Sequence, residues 1–243
     1  EGIDARFMAS IKSGVADTGR AGLHHPSDIF VVDQAFFLGF PEFDIYRYQR
    51  EVGIYLGHFG AVTCFPEPDW PTGSGMRVFA YLKAGQRHAQ TVMQALSSMP
   101  GVRAVCYYSG AQEDVAQWQS DTLRIVSTPV NMARVLESAE LVICHAGAGT
   151  VFEALSAGVP LMLLPIQIEQ IHHAVTAEGL GLGVAVKTHD TPDIVNSKLR
   201  RAVTDRSLKD NAARFAASHG GSQYNDPAAF IADWCEAELA RVA

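Results

Sequence analysis

Residues 140–174 read ELVICHAGAGTVFEALSAGVPLMLLPIQIEQIHHA. An apolar run ends at Cys144, a turn of small residues follows over 145–150, and an amphipathic segment carrying Phe152, Glu153 and Leu155 begins at once. A strand, a tight turn and a helix in that order make an anion site. The first amides of the helix have no intrahelical acceptor, and the helix dipole adds about half a positive charge there. Gly147 and Gly149 let the backbone come close to a bound diphosphate. His145 stands at the carboxyl end of the strand, where open α/β sheets collect ligands. Its imidazole can donate to a phosphate oxygen, with capping or packing as the alternative role.

Other phosphate motifs fit poorly. A dinucleotide fingerprint G-x-G-x-x-G requires glycine where Phe152 stands and belongs after the first strand of a domain, whereas this turn follows the fourth. A P-loop requires G-K-[ST], which the chain lacks. The remaining alternative is a glycine turn that serves only helix packing.

From about Met76 onward, short β-branched and apolar runs alternate with amphipathic segments. Strands are predicted at 77–82, 103–108, 123–126, 140–144, 160–165 and 183–186. Most are too uniformly apolar to have a face in water, so the prediction is an α/β domain with a Rossmann-like parallel sheet and helices on both faces. Helical spacing links Ala89, Val92, Met93 and Leu96, and then Met132, Val135, Leu136 and Ala139. Thr191-Pro192 and Asp226-Pro227 each read as an N-cap followed by proline at the first helical position. The first 75 residues differ: short strands at 30–32 and 54–56, an aromatic-rich stretch over 34–46, and a Pro/Gly-rich linker over 65–75. The division expected is 1–60 as the tail of an amino-terminal domain, 61–75 as linker, 76–221 as the main domain and 222–243 as a terminal crossing helix.

Composition narrows the function. Of 243 residues 48% are hydrophobic, enough for a sizeable core, and a net charge of −7 removes the driving force for general nucleic-acid binding. Cys64, Cys106, Cys144 and Cys235 form no C-x-x-C pair, and reduced thiols in a cytoplasmic protein are expected. His172 and His173 are adjacent and diverge on a helix, so no zinc site is expected. No apolar run reaches the ~20 residues of a membrane-spanning helix. The chain opens at Glu1 rather than methionine and is read as a fragment or a processed product.

The central stretch resembles the donor-binding signature of family 1 glycosyltransferases, the UDP-glycosyltransferase superfamily: H-x-G-x-G-[ST]-x-x-E-A-L-x-x-G-V-P followed by P-x-x-x-[DE]-Q. His145, Gly147, Gly149, Thr150, Glu153, Ala154, Leu155, Gly158, Val159, Pro160, Pro165, Glu169 and Gln170 match it in register. Pro129 lies sixteen residues before His145, as in that family's base-binding loop. The likeness runs from about Met76 to the carboxyl terminus and is strongest over 127–174.

This resemblance implies the carboxyl-terminal half of a GT-B fold with a short remnant of the amino-terminal domain. It implies transfer of a sugar from a UDP- or dTDP-linked donor to an acceptor hydroxyl, with inversion, no metal and no further cofactor. His145 with the amides of Gly147, Gly149 and Thr150 would hold the phosphates, and Glu153 the ribose hydroxyls. Glu169 and Gln170 would contact the sugar, and Pro129 and Val130 the base through backbone atoms. Lys83, in the loop after the first strand of the domain, would reach the phosphates.

Departures stand out: Ser127 where an aromatic residue is usual in plant members, Val130 for glutamine, Glu169 for aspartate and His173 for asparagine. The expected partners are the nucleotide sugar, a small-molecule or lipid acceptor, and a complementary acceptor domain or a second copy, with Phe230 and Trp234 of the last helix facing that surface. No catalytic base is assigned; His24, His25 and His58 lie in the wrong part of the pattern. Two other readings stand beside this one: a non-catalytic nucleotide-sugar-binding module or partner subunit, and a nucleotide-sugar 2-epimerase on the same fold.

Overall fold

The computed structural model of the chain describes residues 6, 9–10, 32–49, 53–58, 60, 64–110, 115–219 and 226–242. Residues 37–49 and 55–243 cluster into one compact unit, and residues 1–36 with 50–54 into another. Of the second unit the backbone bond from Ile54 N to Ala35 O, at 2.9 Å, is described. Strands β1 (Phe36–Phe37) and β2 (Ile54–Tyr55) form a two-stranded ribbon. The strand expected at 30–32 lies largely outside the described residues, as do His24 and His25.

The larger unit is built on six strands: β3 (Met76–Lys83), β4 (Val102–Ser109), β5 (Leu123–Val126), β6 (Leu141–Cys144), β7 (Leu161–Leu163) and β8 (Gly183–Ala185). Each predicted strand of this domain appears, within about two residues at each end. All pairings are parallel, in the order β5-β4-β3-β6-β7-β8. The order reverses between β3 and β6, whose registers align Tyr81 with Cys144. A crevice outside the carboxyl ends of such a switch point is where open α/β sheets bind ligands.

Alternation along the strands divides the core. Val78, Ala80, Leu82, Cys106, Ile143 and Met162 face one side. There they meet α1 (Ala89–Leu96) through Val92, Met93 and Leu96, and α5 (Pro192–Thr204) through Val195 and Leu199. Phe79, Val105, Val142, Cys144, Leu161 and Leu163 face the other side, toward α3 (Ala148–Ser156) and α4 (Ile168–Gly179). Each large apolar side chain taken fully out of water contributes about 1.5–3 kcal/mol, which is why these strands carry no polar face.

The caps follow from local chemistry. Asn131 accepts from Arg134 N at 3.3 Å to start α2 (Met132–Leu136), which ends a turn before Ala139. Thr191 accepts from Ile194 N at 3.4 Å, and Asp226 from Ala228 N and Ala229 N, both at 3.0 Å, opening α7 (Pro227–Val242). Gly158, at φ 72°, takes the left-handed position that closes α3. Helix α6 (Arg206–His219) was not anticipated: it buries only Leu208 and Ala212, so its apolar periodicity is faint. Phe230, Ile231 and Trp234 of α7 are half-buried.

The 64–75 segment has no regular structure before β3 but is fastened to the domain. Asn131 N donates to Pro66 O at 2.8 Å, and Arg103 Nη1 to Pro71 O at 3.2 Å. Arg134 pairs with Glu67 at 3.5 Å, Arg124 pairs with Asp69, and the Arg77 guanidinium lies over the Trp70 ring. Upstream, Phe40 and Phe43 are buried against Phe152 and Phe215. No helix among the described residues is long and apolar enough to cross a membrane.

Candidate functional site

β6 ends at Cys144, and the chain turns through His145, Ala146 and Gly147 into α3, with Gly147 as the N-cap. The helix starts at Ala148, earlier than its apolar residues suggest. Val151 N is the first amide with a partner in it, donating to Gly147 O at 3.0 Å. Among the described residues the amides of Gly147, Ala148, Gly149 and Thr150 donate to nothing, so Ala148 joins the predicted set. A Cβ added at Gly149 meets nothing within 4 Å, so packing does not demand glycine there; the space over the helix start is open. At Gly147 a Cβ would sit 3.1 Å from His145 Nε2, so there the glycine makes room for the imidazole.

His145 is 7% exposed, its ring edge-on to Tyr81 with centroids 4.9 Å apart. Its Nδ1 is buried and has no hydrogen-bond partner among the described residues. Burial, and then the charge of Lys83, push its pKa down to about 4, so the ring is neutral at neutral pH. With Tyr81 opposite Cys144 in the parallel β3–β6 pair, Lys83, at the end of β3, and His145, just past the end of β6, stand at the same edge of the sheet. The loop holding Lys83 is braced: Gln86 accepts from Lys83 N at 3.3 Å and donates to Leu164 O at 2.8 Å.

Glu153 lies in the second turn of α3 and is half-buried. Burial raises its carboxyl to about 7. Glu169 is exposed in the first turn of α4, while Gln170 is buried and accepts from Ile166 N at 3.0 Å through Oε1. Pro129 and Val130 are half-buried in the loop after β5. The predicted residues therefore lie in the loops, or the first two helical turns, that follow β5, β3, β6 and β7, on one edge of the sheet.

The adjacent histidines diverge as expected: His172 Nε2 meets Phe43 O at 3.1 Å, and His173 Nδ1 meets Ala146 O at 3.0 Å. Tyr81 carried no signal in the sequence pattern, and His173 stood out only as a departure from the usual asparagine; each reaches the turn through tertiary contact. Burial pushes the Cys106 and Cys144 thiols up to about 12, leaving them without thiolate reactivity. Among the described residues no three His, Cys, Asp or Glu side chains gather as metal ligands would.

Two concavities lie away from this edge. One of about 610 Å³, lined by Met76, Glu140, Pro160 and Lys209, sits at the amino ends of the strands. Another of about 450 Å³ lies between α1 and α5. Neither meets the unpaired amides or the perturbed His145, and the chemistry outweighs the volume.

Comparison with known proteins agrees with this fold. The chain is 30% identical over 118 residues, 46% of its length, to the UDP-N-acetylglucosamine--N-acetylmuramyl-(pentapeptide) pyrophosphoryl-undecaprenol N-acetylglucosamine transferase of Acetivibrio thermocellus, of which 32% is covered. It is 24% identical over 191 residues, 72% of its length, to UDP-glucuronosyltransferase 1A6 of Oryctolagus cuniculus, of which 35% is covered. It thus spans about a third of the length of these two relatives. The crystal structure of glycosyltransferase VinC in complex with DTDP shares the fold at a TM-score of 0.70 and 20% identity, over 87% of this chain and 53% of that one. The profile of the glycosyltransferase family 28 C-terminal domain matches residues 87–223. With more than half of its length so matched, and with a six-stranded parallel sheet like that of a GT-B carboxyl-terminal domain, the chain belongs to the glycosyltransferase family 28 C-terminal domain family.

Proposed function

We propose that the chain is the donor-binding half of a glycosyltransferase that takes a UDP- or dTDP-linked sugar and transfers the sugar, with inversion, to an acceptor hydroxyl. The observation that carries this reading is the row of unpartnered amides from Gly147 to Thr150 beside His145 and Lys83. As the donor bond breaks, negative charge grows on the departing diphosphate. Fixed amides, a helix dipole and an ammonium group stabilise it without reorganising. In this reading no metal is needed.

The order of the loops supports the rest. From the end of β5 to the end of β7 is four strand spacings, about 19 Å at about 4.8 Å each. Along that line lie Pro129 and Val130, then Lys83, then His145 with the turn, then Glu169 and Gln170. A base, a diphosphate and a hexose follow one another in the same sequence in the donor. Glu153 would accept from the ribose hydroxyls and Glu169 from sugar hydroxyls, because a carboxylate offers only acceptors. With its Oε1 committed to Ile166, Gln170 has its NH₂ to offer a sugar oxygen. The names of the curated relatives and the DTDP bound to VinC motivate the choice of nucleotides. Deprotonation of the acceptor falls to an acceptor-binding half, in which this reading places the general base.

Isothermal titration of the chain with UDP and dTDP tests the proposal. Saturable binding of one of them is expected; no heat from either at millimolar concentration rejects the donor-site assignment.

A further inference from the structure

We propose that His173 is a positioning residue that sets the direction of the Gly147 amide, and so completes the diphosphate cradle; this rests on the donor-site reading above. Ala146 is the one residue other than glycine with positive φ among the described residues, at 63°. A Cβ disfavours that region, so the conformation persists only where the surroundings enforce it. The enforcing contact is visible: Ala146 O meets His173 Nδ1 at 3.0 Å, both residues being buried. A carbonyl can only accept, so Nδ1 carries the proton.

The consequence follows from the geometry of one peptide unit. Ala146 O and the Gly147 N–H belong to the same planar trans peptide and point in opposite directions. Drawing the oxygen toward α4 turns the N–H the other way, alongside the unpartnered amides at the start of α3. Without that bond the Ala146–Gly147 peptide can turn about its two flanking bonds, Cα–C of Ala146 and N–Cα of Gly147, which would direct an oxygen rather than a donor at the phosphate.

His173 is itself held in place. Its ring packs edge-on to Phe152 and Phe43, with centroids 5.5 Å and 6.0 Å away. His172 ties the same helix to Phe43 O at 3.1 Å.

Two variants separate the N–H from the ring. In His173→Asn the side-chain amide nitrogen lies as many bonds from Cα as Nδ1 does and can donate in its place; His173→Phe keeps an aromatic ring and loses the donor. Titration with UDP and dTDP is expected to give His173→Asn within about threefold of the parent and His173→Phe at least tenfold weaker, at matched melting temperature. Equal affinity of His173→Phe and the parent, or loss in both variants alike, overturns the proposal.

Nitrogen-15 spectra of the unligated chain decide the same point without nucleotide. A proton on His173 Nδ1, and a Gly147 amide resonance that moves in His173→Phe and returns in His173→Asn, are expected. An Nδ1 without a proton overturns the proposal, as does a Gly147 resonance indifferent to both substitutions. Should the parent bind neither nucleotide, the donor-site reading fails, and these spectra still decide what His173 does. Should His173→Phe fail to fold, the parent's Nδ1 proton and the His173→Asn titration decide.

Discussion

Replacing Glu153 with glutamine should make the protein's stability less dependent on pH, in a direction set by burial. The carboxyl rises from its ordinary 4.5 to about 7 because the half-buried second turn of α3 disfavours its charge. Between those two values the folded chain keeps a proton that the unfolded chain has released. Stability therefore falls as pH climbs from 4.5 to about 7 and levels off above. At about 1.4 kcal/mol per pH unit the interval corresponds to about 3 kcal/mol, and partial solvent access reduces this to about 1.5 kcal/mol.

Glutamine has a similar shape and no such titration. Urea unfolding of the parent and of Glu153→Gln at pH 5, 6, 7 and 8.5 measures the difference, in which other titrating groups cancel. The variant should gain about 1.5 kcal/mol on the parent between the acid and alkaline ends. Parallel stability curves over the whole range would show that Glu153 ionises as freely as an exposed glutamate, and would refute the argument from burial. A ribose then gains little from it either, since the value of that carboxylate as an acceptor depends on the same dry surroundings.

Other expectations follow from neighbouring residues. His145→Ala should weaken UDP or dTDP binding by about 1.5–3 kcal/mol, the range for a hydrogen bond to a charged group, as read by titration calorimetry. Because its pKa is pushed down from 6.5 to about 4, the unfolded chain takes up the proton first, and His145 erodes stability as pH falls through that window; acid unfolding of His145→Ala should show less of this loss. Gly183→Ala drives a Cβ into Leu161 O across the β7–β8 pair and should cost about 1–3 kcal/mol or more in chemical denaturation. Ala146→Gly relieves a left-handed alanine at a gain of about 1–2 kcal/mol, but loses a buried methyl and makes the unfolded chain more flexible, at a comparable cost. Its melting temperature should stay close to the parent's.

The six-stranded sheet was legible because strands buried on both faces are continuous apolar runs, as LVIC over β6 and LML over β7 show. The strand, turn and helix around Gly147 were legible because small residues separate such a run from an amphipathic segment. What escaped depends on distance along the chain. His173 meets Ala146 across 27 residues, and Tyr81 meets His145 only because β6 inserts beside β3. Helix α6 escaped because its sequence, RSLKDNAARFAASH, carries too few apolar residues to mark a face. The start of α3 was misjudged because the first apolar residue of a helix does not mark its first free amide. Phe40 and Phe43 pack into the core beside α3, although the composition of their segment sets it apart from the sheet-forming sequence.

The fastening of residues 66–71 has a mechanical corollary. The chain entering β3 is no slack tether: Pro66 holds the backbone of Asn131, and Glu67 and Asp69 reach Arg134 and Arg124 on either side of the 127–131 loop. A tug on the upstream chain would thus be delivered first to the loop assigned to the base, before any strand yields. Exposed ion pairs contribute less than about 1 kcal/mol each, so this buckle slips under modest load and can reset, linking whatever moves the entering segment to the loop proposed to hold the base.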